Sequence, residues 1–192
     1  MHCHIRLQTE LHYDSLANDV GIDVRTCKRW ISILETAGII YLIHPYFPNI
    51  SKRIIKAPKL YFMDTGLCAY LCKWPNAQMI ENGAMSGAFY ETYVVSELIK
   101  NFYAYNMDPK EVLFYYRDKD RREVDLLYVK PQMLYPIEIK KGISIGKKAA
   151  VNFSALEKYN MEIGNGLIID SCEKIRPLDR NVFFYPVFRI GE

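Results

Sequence analysis

Three carboxylates and one amine in this chain occupy positions that a purely structural sequence would avoid. Asp125 lies in the run REVDLLYV, and Glu138 and Lys140 lie in YPIEIKKG. Two apolar runs flank Lys130-Pro131-Gln132-Met133, the pattern of a β-hairpin. Pro131 cannot take the positive φ of the tightest turns, so a four-residue loop is expected. A loop centred between Pro131 and Gln132 sets Asp125 opposite Glu138 and Glu123 opposite Lys140. Strand alternation then puts Glu138 and Lys140 on one face, with Ile137 and Ile139 on the other.

Two carboxylates facing each other across a ladder repel. At about 4 Å and an effective dielectric of about 20 the cost is on the order of 4 kcal/mol. A divalent cation reverses that sign, because Mg²⁺ takes oxygen ligands and is often held by one or two carboxylates plus substrate phosphate. Lys140 beside them offers a point charge for a scissile phosphate or an attacking water. The trio predicts metal-assisted phosphodiester hydrolysis, with Asp125 and Glu138 as ligands of Mg²⁺ (or Mn²⁺).

A fourth residue joins them from GAFYETYVVSELIKNF. Glu91, Val94, Val95, Leu98 and Phe102 follow an i, i+3, i+4, i+7, i+11 stripe. Glu91 thus falls on an apolar helix face, where an unpaired carboxylate is costly. It is either an ion-pair partner near the helix start or, in a site, an auxiliary metal ligand or a water-orienting base. Arg117, Arg121 and Arg122, on or beside the turn entering the Asp125 strand, suit contacts to a nucleic-acid backbone.

The elements that must position these groups divide the chain into two halves with different periodicity. Over 83–192 a helix (86–103), three strands (112–117, 123–130, 134–140), a helix (146–159) and strands at 166–170 and 182–188 are expected. That order is αβββαβ with a closing strand. Over 1–63 a helix through Leu16, Ala17 and Val20, with Asp14 or Ser15 as N-cap, is followed by the turn GIDVRT. A second helix through Cys27, Trp30, Ile31 and Leu34 starts at Asp23 or Thr26 and ends at Gly38. The strand-like runs IIYLI and KLYFM then complete the order of a winged helix-turn-helix.

Arg25, Thr26, Lys28 and Arg29 face outward on the second helix, where cations suit phosphate and base contacts in a DNA groove. Lys52, Arg53, Lys56 and Lys59 would add charge along the wing. A solvated polar face on a small structural domain is the bland alternative, and winged helices often serve protein contacts. Residues 64–82 form a connector, with a turn at Asp64-Thr65-Gly66 and a break at Trp74-Pro75-Asn76. Cys68 and Cys72 lack a second ligand pair, so buried thiols are expected rather than zinc, and none is expected at His2, Cys3, His4 and His12.

Composition sets the bounds. The chain has 192 residues, 50% of them hydrophobic and 24% charged, which excludes disorder as the main theme and supports an ordinary core. A net charge of +3 is too weak to name nucleic acid as a partner by itself. No run is long and apolar enough for a membrane span. Five scattered cysteines fit a reducing, cytoplasmic setting.

An Asp on one strand, Glu-x-Lys on the next and a Glu on the first helix of αβββαβ resembles the PD-(D/E)xK nuclease superfamily. Val124-Asp125 replaces the Pro-Asp element, and Glu138-Ile139-Lys140 is intact. The strings KAPKLYFMDTGL, GAFYETYVVSELIK, YYRDKDRREVDLLYV and YPIEIKKG, within about Leu16 to Lys141, resemble the C-terminal half of a large prokaryotic family. There an AAA-type ATPase domain precedes a winged helix and a restriction-endonuclease-like domain. The resemblance implies an α+β/α/β chain that binds DNA and serves an AAA-type ATPase domain missing from this sequence, as a C-terminal fragment or a stand-alone derivative. It implies catalytic roles for Glu91, Asp125, Glu138 and Lys140, or the same fold as an inactive module for DNA, a protein partner or only its own ATPase. GISIGKK (142–148) is no phosphate loop: it is one residue short between glycines and carries Lys148 in place of Ser or Thr, so no ATP site is expected in this chain. Lys141, Lys147 and Lys148 would instead steer a nucleic-acid backbone toward the carboxylates.

Overall fold

The computed structural model describes residues 9–48, 56–74, 76–143 and 146–191. Helices α1 (Tyr13–Val20) and α2 (Val24–Thr36) open it. Asp23 caps α2 by accepting the Thr26 N–H at 3.0 Å, and Gly38, at φ 69, follows its end. The cap of α1 is His12, with no side-chain bond, rather than Asp14 or Ser15. Strands β1 (Ile40–Ile43) and β2 (Lys59–Phe62) pair antiparallel from Ile40↔Phe62 to Ile43↔Lys59.

This hairpin is buried on both sides. Ile40, Leu42, Leu60 and Phe62 pack with Ala17, Cys27 and Ile31 of the helices. Tyr41, Ile43 and Tyr61 join a different core, that of the large sheet. Trp30 and Leu34 do not complete the expected α2 stripe. Their side chains remain substantially exposed, and Cys27 and Ile31 alone are buried on that helix.

The connector holds two short helices, α3 (Thr65–Leu71), capped by Asp64, and α4 (Ala77–Asn82), capped by Asn76. The long helix α5 (Ser86–Ala104) and a single turn, α6 (Pro109–Val112), follow. Then come β3 (Leu113–Arg117), β4 (Glu123–Lys130) and β5 (Met133–Ile139). A 3₁₀ helix over Lys147–Tyr159 stands where an α-helix was expected. Strands β6 (Glu162–Ile163), β7 (Gly166–Asp170), β8 (Arg176–Asp179) and β9 (Val182–Pro186) complete a mixed sheet. Its order is β3-β4-β5-β7-β9-β8, with β6 beside β5; β3, β4 and β5 are antiparallel, and β5, β7 and β9 are parallel. The short β6 and β8 carry too few apolar residues to stand out in the sequence.

The sheet is covered on both faces, which makes this a mixed α/β protein. Val94, Val95 and Ile99 of α5 pack on Leu126, Ile137, Ile139 and Ile169. Phe153 and Leu156 of the 3₁₀ helix pack on Phe114, Val124, Leu127 and Leu134. Among the described residues no helix is long and apolar enough to cross a membrane.

The β4–β5 loop is tighter than expected. Lys130 pairs with Met133, leaving Pro131 and Gln132 as a two-residue turn. The positive φ, 64°, falls on Gln132, while Pro131 takes the preceding position that its ring suits. The turn keeps the expected centre, so the register stands, running from Lys130↔Met133 to Leu126↔Ile137.

Candidate functional site

The site begins with a break in β4. Opposite β3, Phe114 pairs with Leu127 but Tyr116 pairs with Val124, so Asp125 and Leu126 together face the single residue Tyr115. This is a β-bulge, which bends a strand and re-aims side chains. Its effect is visible in the cores: Val124 and Leu127 both face the 3₁₀ helix, while Leu126 between them faces α5. The β4–β5 pairing stops at Leu126↔Ile137, immediately before Asp125 and Glu138. Beyond that point Asp125 Oδ2 accepts the Ile139 N–H at 2.8 Å.

Glu138 in β5 and Lys140 just past its end keep the alternation, and Lys140 Nζ meets Glu138 Oε1 at 2.6 Å. The Lys140 N–H continues the sheet by bonding Ile169 O at 3.0 Å. Glu138 Oε2 is buried with no hydrogen-bond partner among the described residues. Burial, and then the charge of Asp125, raise the Glu138 carboxyl to about 7. Burial also raises Asp125, against the pull of Lys59, the Ile139 N–H and Lys140. The Lys140 ammonium is pulled down by burial but more strongly raised by Glu138 and Asp125.

Glu91 enters from the second turn of α5 and is 8% exposed. Its Oε1 accepts the Tyr61 hydroxyl at 2.7 Å and lies 3.9 Å from Lys59 Nζ. Burial, then the Asp125 charge, push Glu91 to about 8. Asp125 is therefore the shared member of two groups, one with Glu138 and Lys140 and one with Glu91 and Lys59. Among the described residues no three His, Cys, Asp or Glu side chains are gathered closely enough to hold a metal ion by themselves. Two carboxylates with an orphaned oxygen still fit Mg²⁺, which commonly keeps waters and takes its remaining oxygens from phosphate.

Lys59 corrects the sequence reading. The sequence places it on a wing, but it is 2% exposed and ion-paired with the partly buried Glu123. Tyr61, two residues on, shares its strand face. Those two residues and Glu123 are site members that sequence reasoning missed; the usable signal was the matching parity of Lys59 and Tyr61 in KLYFM. Glu123 does not face Lys140, because the bulge and the end of β5 break that pairing; it contacts Lys59 and, at 3.7 Å, Arg117 Nε.

The expected nucleic-acid residues are scattered. Arg25, Lys28 and Arg29 are exposed on α2, whereas Thr26 is partly buried and its hydroxyl donates to Asp23. Arg117 also meets Glu10 at 3.4 Å, Arg122 is paired with Asp118 at 2.8 Å, and Lys141 Nζ donates to the Glu81 carbonyl. Lys148 is exposed and Lys147 starts the 3₁₀ helix. Lys56 is exposed, while Lys52, Arg53, His2, Cys3 and His4 lie outside the described residues.

This mixed α/β chain with a buried acid cluster at a strand bulge has recognisable kin. Residues 86–190 match the domain of unknown function DUF4143, and the chain belongs to that family, a domain found in AAA-ATPase-associated proteins. Residues 3–78 match the domain of unknown function DUF8612. Uncharacterized protein Rv2008c of Mycobacterium tuberculosis and uncharacterized protein Mb2031c of Mycobacterium bovis are each 30% identical over 126 residues. That stretch is 66% of this chain and 27% of either relative, so the chain spans well under two thirds of their length. The crystal structure of protein VC1899 from Vibrio cholerae aligns with 96% of this chain and 43% of its own at 16% identity. The TM-score is 0.34.

Proposed function

We propose that the chain is a DNA-binding, Mg²⁺-dependent phosphodiesterase module, built as a winged helix-turn-helix followed by a restriction-endonuclease-like domain, which works in the cytoplasm with an AAA-type ATPase domain. The observation that carries it is Glu138 Oε2, buried beside Asp125 and Lys140 with no hydrogen-bond partner among the described residues. A natural core leaves few such atoms unsatisfied, and a ligand is one standard reason for an exception. Asp125 and Glu138 would hold Mg²⁺ (or Mn²⁺), which when bound supplies positive charge for the phosphate and acidifies a water.

The remaining steps belong to the chain. The Ile139 N–H fixes Asp125 in place. Lys140, half-exposed beside Glu138, meets the scissile phosphate and balances charge that builds on it. Glu91, raised to about 8, keeps its proton at neutral pH and would serve as an acid, giving that proton to the leaving oxygen rather than taking one from the attacking water. Arg25, Lys28 and Arg29 on α2 would anchor the duplex by its phosphates. The test is nicking of supercoiled DNA with Mg²⁺ or Mn²⁺, lost in both Asp125→Asn and Glu138→Gln. Equal cleavage by either variant places the activity elsewhere.

One observation favours a second reading, a nuclease-fold module that holds DNA or a protein partner without cutting. Lys59 already compensates part of the acid cluster from inside. That reading predicts no Mg²⁺ or Mn²⁺ binding at millimolar concentration and no nicking, with DNA affinity retained.

A further inference from the structure

The β1–β2 hairpin delivers a cation to the acid cluster from the opposite half of the chain. Leu60 and Phe62 point to the α1–α2 core, so strand parity sends Lys59 and Tyr61 toward α5 and β4. Lys59 Nζ pairs with Glu123, lies 3.9 Å from Glu91 Oε1 and sits 5.3 Å from the centre of the Tyr115 ring. Tyr115 is the residue that faces the bulge carrying Asp125. The Tyr61 hydroxyl engages the same Glu91 oxygen. Lysine is almost never so deeply buried unless paired, and here its partners are members of the acid cluster.

We propose that Lys59 is the resident counter-ion of this cluster, and that a divalent cation binds at Asp125 and Glu138 in opposition to it. The inference rests on the metal-site reading above and names what sets the affinity of that site. A divalent cation near Asp125 adds positive charge beside a buried ammonium that cannot retreat into water without undocking β2. Coupling between two such events is reciprocal: docking of β2 weakens the cation, and the cation weakens the docking of β2. Glu91, held by both Lys59 and Tyr61, becomes a third oxygen ligand only when that grip loosens. Lys59 is thus a positioning residue for the site.

Mn²⁺ binding to the whole chain, measured by isothermal titration calorimetry without nucleic acid, tests this in the parent and in Lys59→Met. Methionine keeps much of the lysine stem and removes the charge. The expected result is affinity raised roughly ten-fold or more in the variant, within the usual range for coupled sites. A second measurement needs no variant: amide hydrogen exchange of the parent with and without Mn²⁺. Exchange should quicken at Leu60, Tyr61 and Phe62. Equal or weaker Mn²⁺ affinity in a folded Lys59→Met, or β2 protection that is unchanged or increased by Mn²⁺, overturns the proposal and leaves the metal site standing. Failure of the metal site itself looks different: neither protein binds Mn²⁺ at millimolar concentration, and the proposal falls with it.

Discussion

Asp125 Oδ2 accepts the backbone N–H of Ile139 at 2.8 Å, so a side chain takes over the place of a ladder bond where β4 and β5 part. The carboxylate is therefore structural through one oxygen and chemical through its charge. Asp125→Ala orphans a buried N–H and should cost about 1–3 kcal/mol. Asp125→Asn keeps an oxygen acceptor for Ile139 while removing the charge that acts on Glu91 and Glu138. In urea unfolding the Asn variant should hold a midpoint well above that of the Ala variant, although both lose nicking. Matching midpoints would show that the Ile139 bond contributes nothing.

Stability should fall as pH rises through neutrality. Burial, then the Asp125 charge, lift Glu91 from 4.5 to about 8 and Glu138 from 4.5 to about 7. Between the unfolded and folded values the native chain binds more protons than the unfolded chain, so raising pH favours unfolding across that window. Both shifts have the same sign, so their destabilising effects add across the window from about pH 5 to about pH 8. Saturating Mg²⁺ should flatten the decline, because a bound cation favours the ionised carboxylates. Urea titrations at several pH values check the sign; stability rising over this range would contradict it.

How much was legible in the sequence depends on whether a signal is local. The β4–β5 register came through because Pro131 and Gln132 centre the turn whether it spans two residues or four. Glu91 was legible because its helix stripe is otherwise apolar, and the structure buries it beside Val94 and Val95. The bulge at Asp125 was not, since it arises from the pairing of β4 with β3 and leaves no mark in the alternation of either strand alone. Lys59 was misread for a related reason. A lysine in a wing strand is ordinarily solvated, and only packing of both hairpin faces turns it inward against Glu91 and Glu123.

The turn itself offers a clean stability test. Gln132 holds a φ of 64°, where a Cβ is unfavourable by about 1 kcal/mol or somewhat more. Glycine at the second turn position removes that strain, partly offset by its greater freedom in the unfolded chain. Gln132→Gly should therefore raise stability by about 0.5–1 kcal/mol, with metal binding and nicking unchanged because the turn sits at the far end of β4 and β5 from Asp125 and Glu138. A clear loss in thermal unfolding would mean that the Gln132 side chain contributes more than its backbone costs.

DNA contact through α2 predicts a particular salt dependence. Arg25, Lys28 and Arg29 are exposed, and the helix is anchored by buried Cys27 and Ile31 rather than by these cations. Lys28 lies 5.6 Å from the centre of the Tyr13 ring, a contact worth no more than about 1 kcal/mol at an exposed site. Replacing all three cations by Ala should leave the fold intact. Each phosphate contact contributes a slope of about −0.9 to log K against log salt, so the triple variant should bind duplex DNA more weakly and with a slope shallower by up to about 3. Fluorescence anisotropy at several salt concentrations measures both quantities. An unchanged slope would remove α2 from the interface and leave the half-exposed Lys140 beside the acid cluster as the candidate cation that meets the nucleic acid.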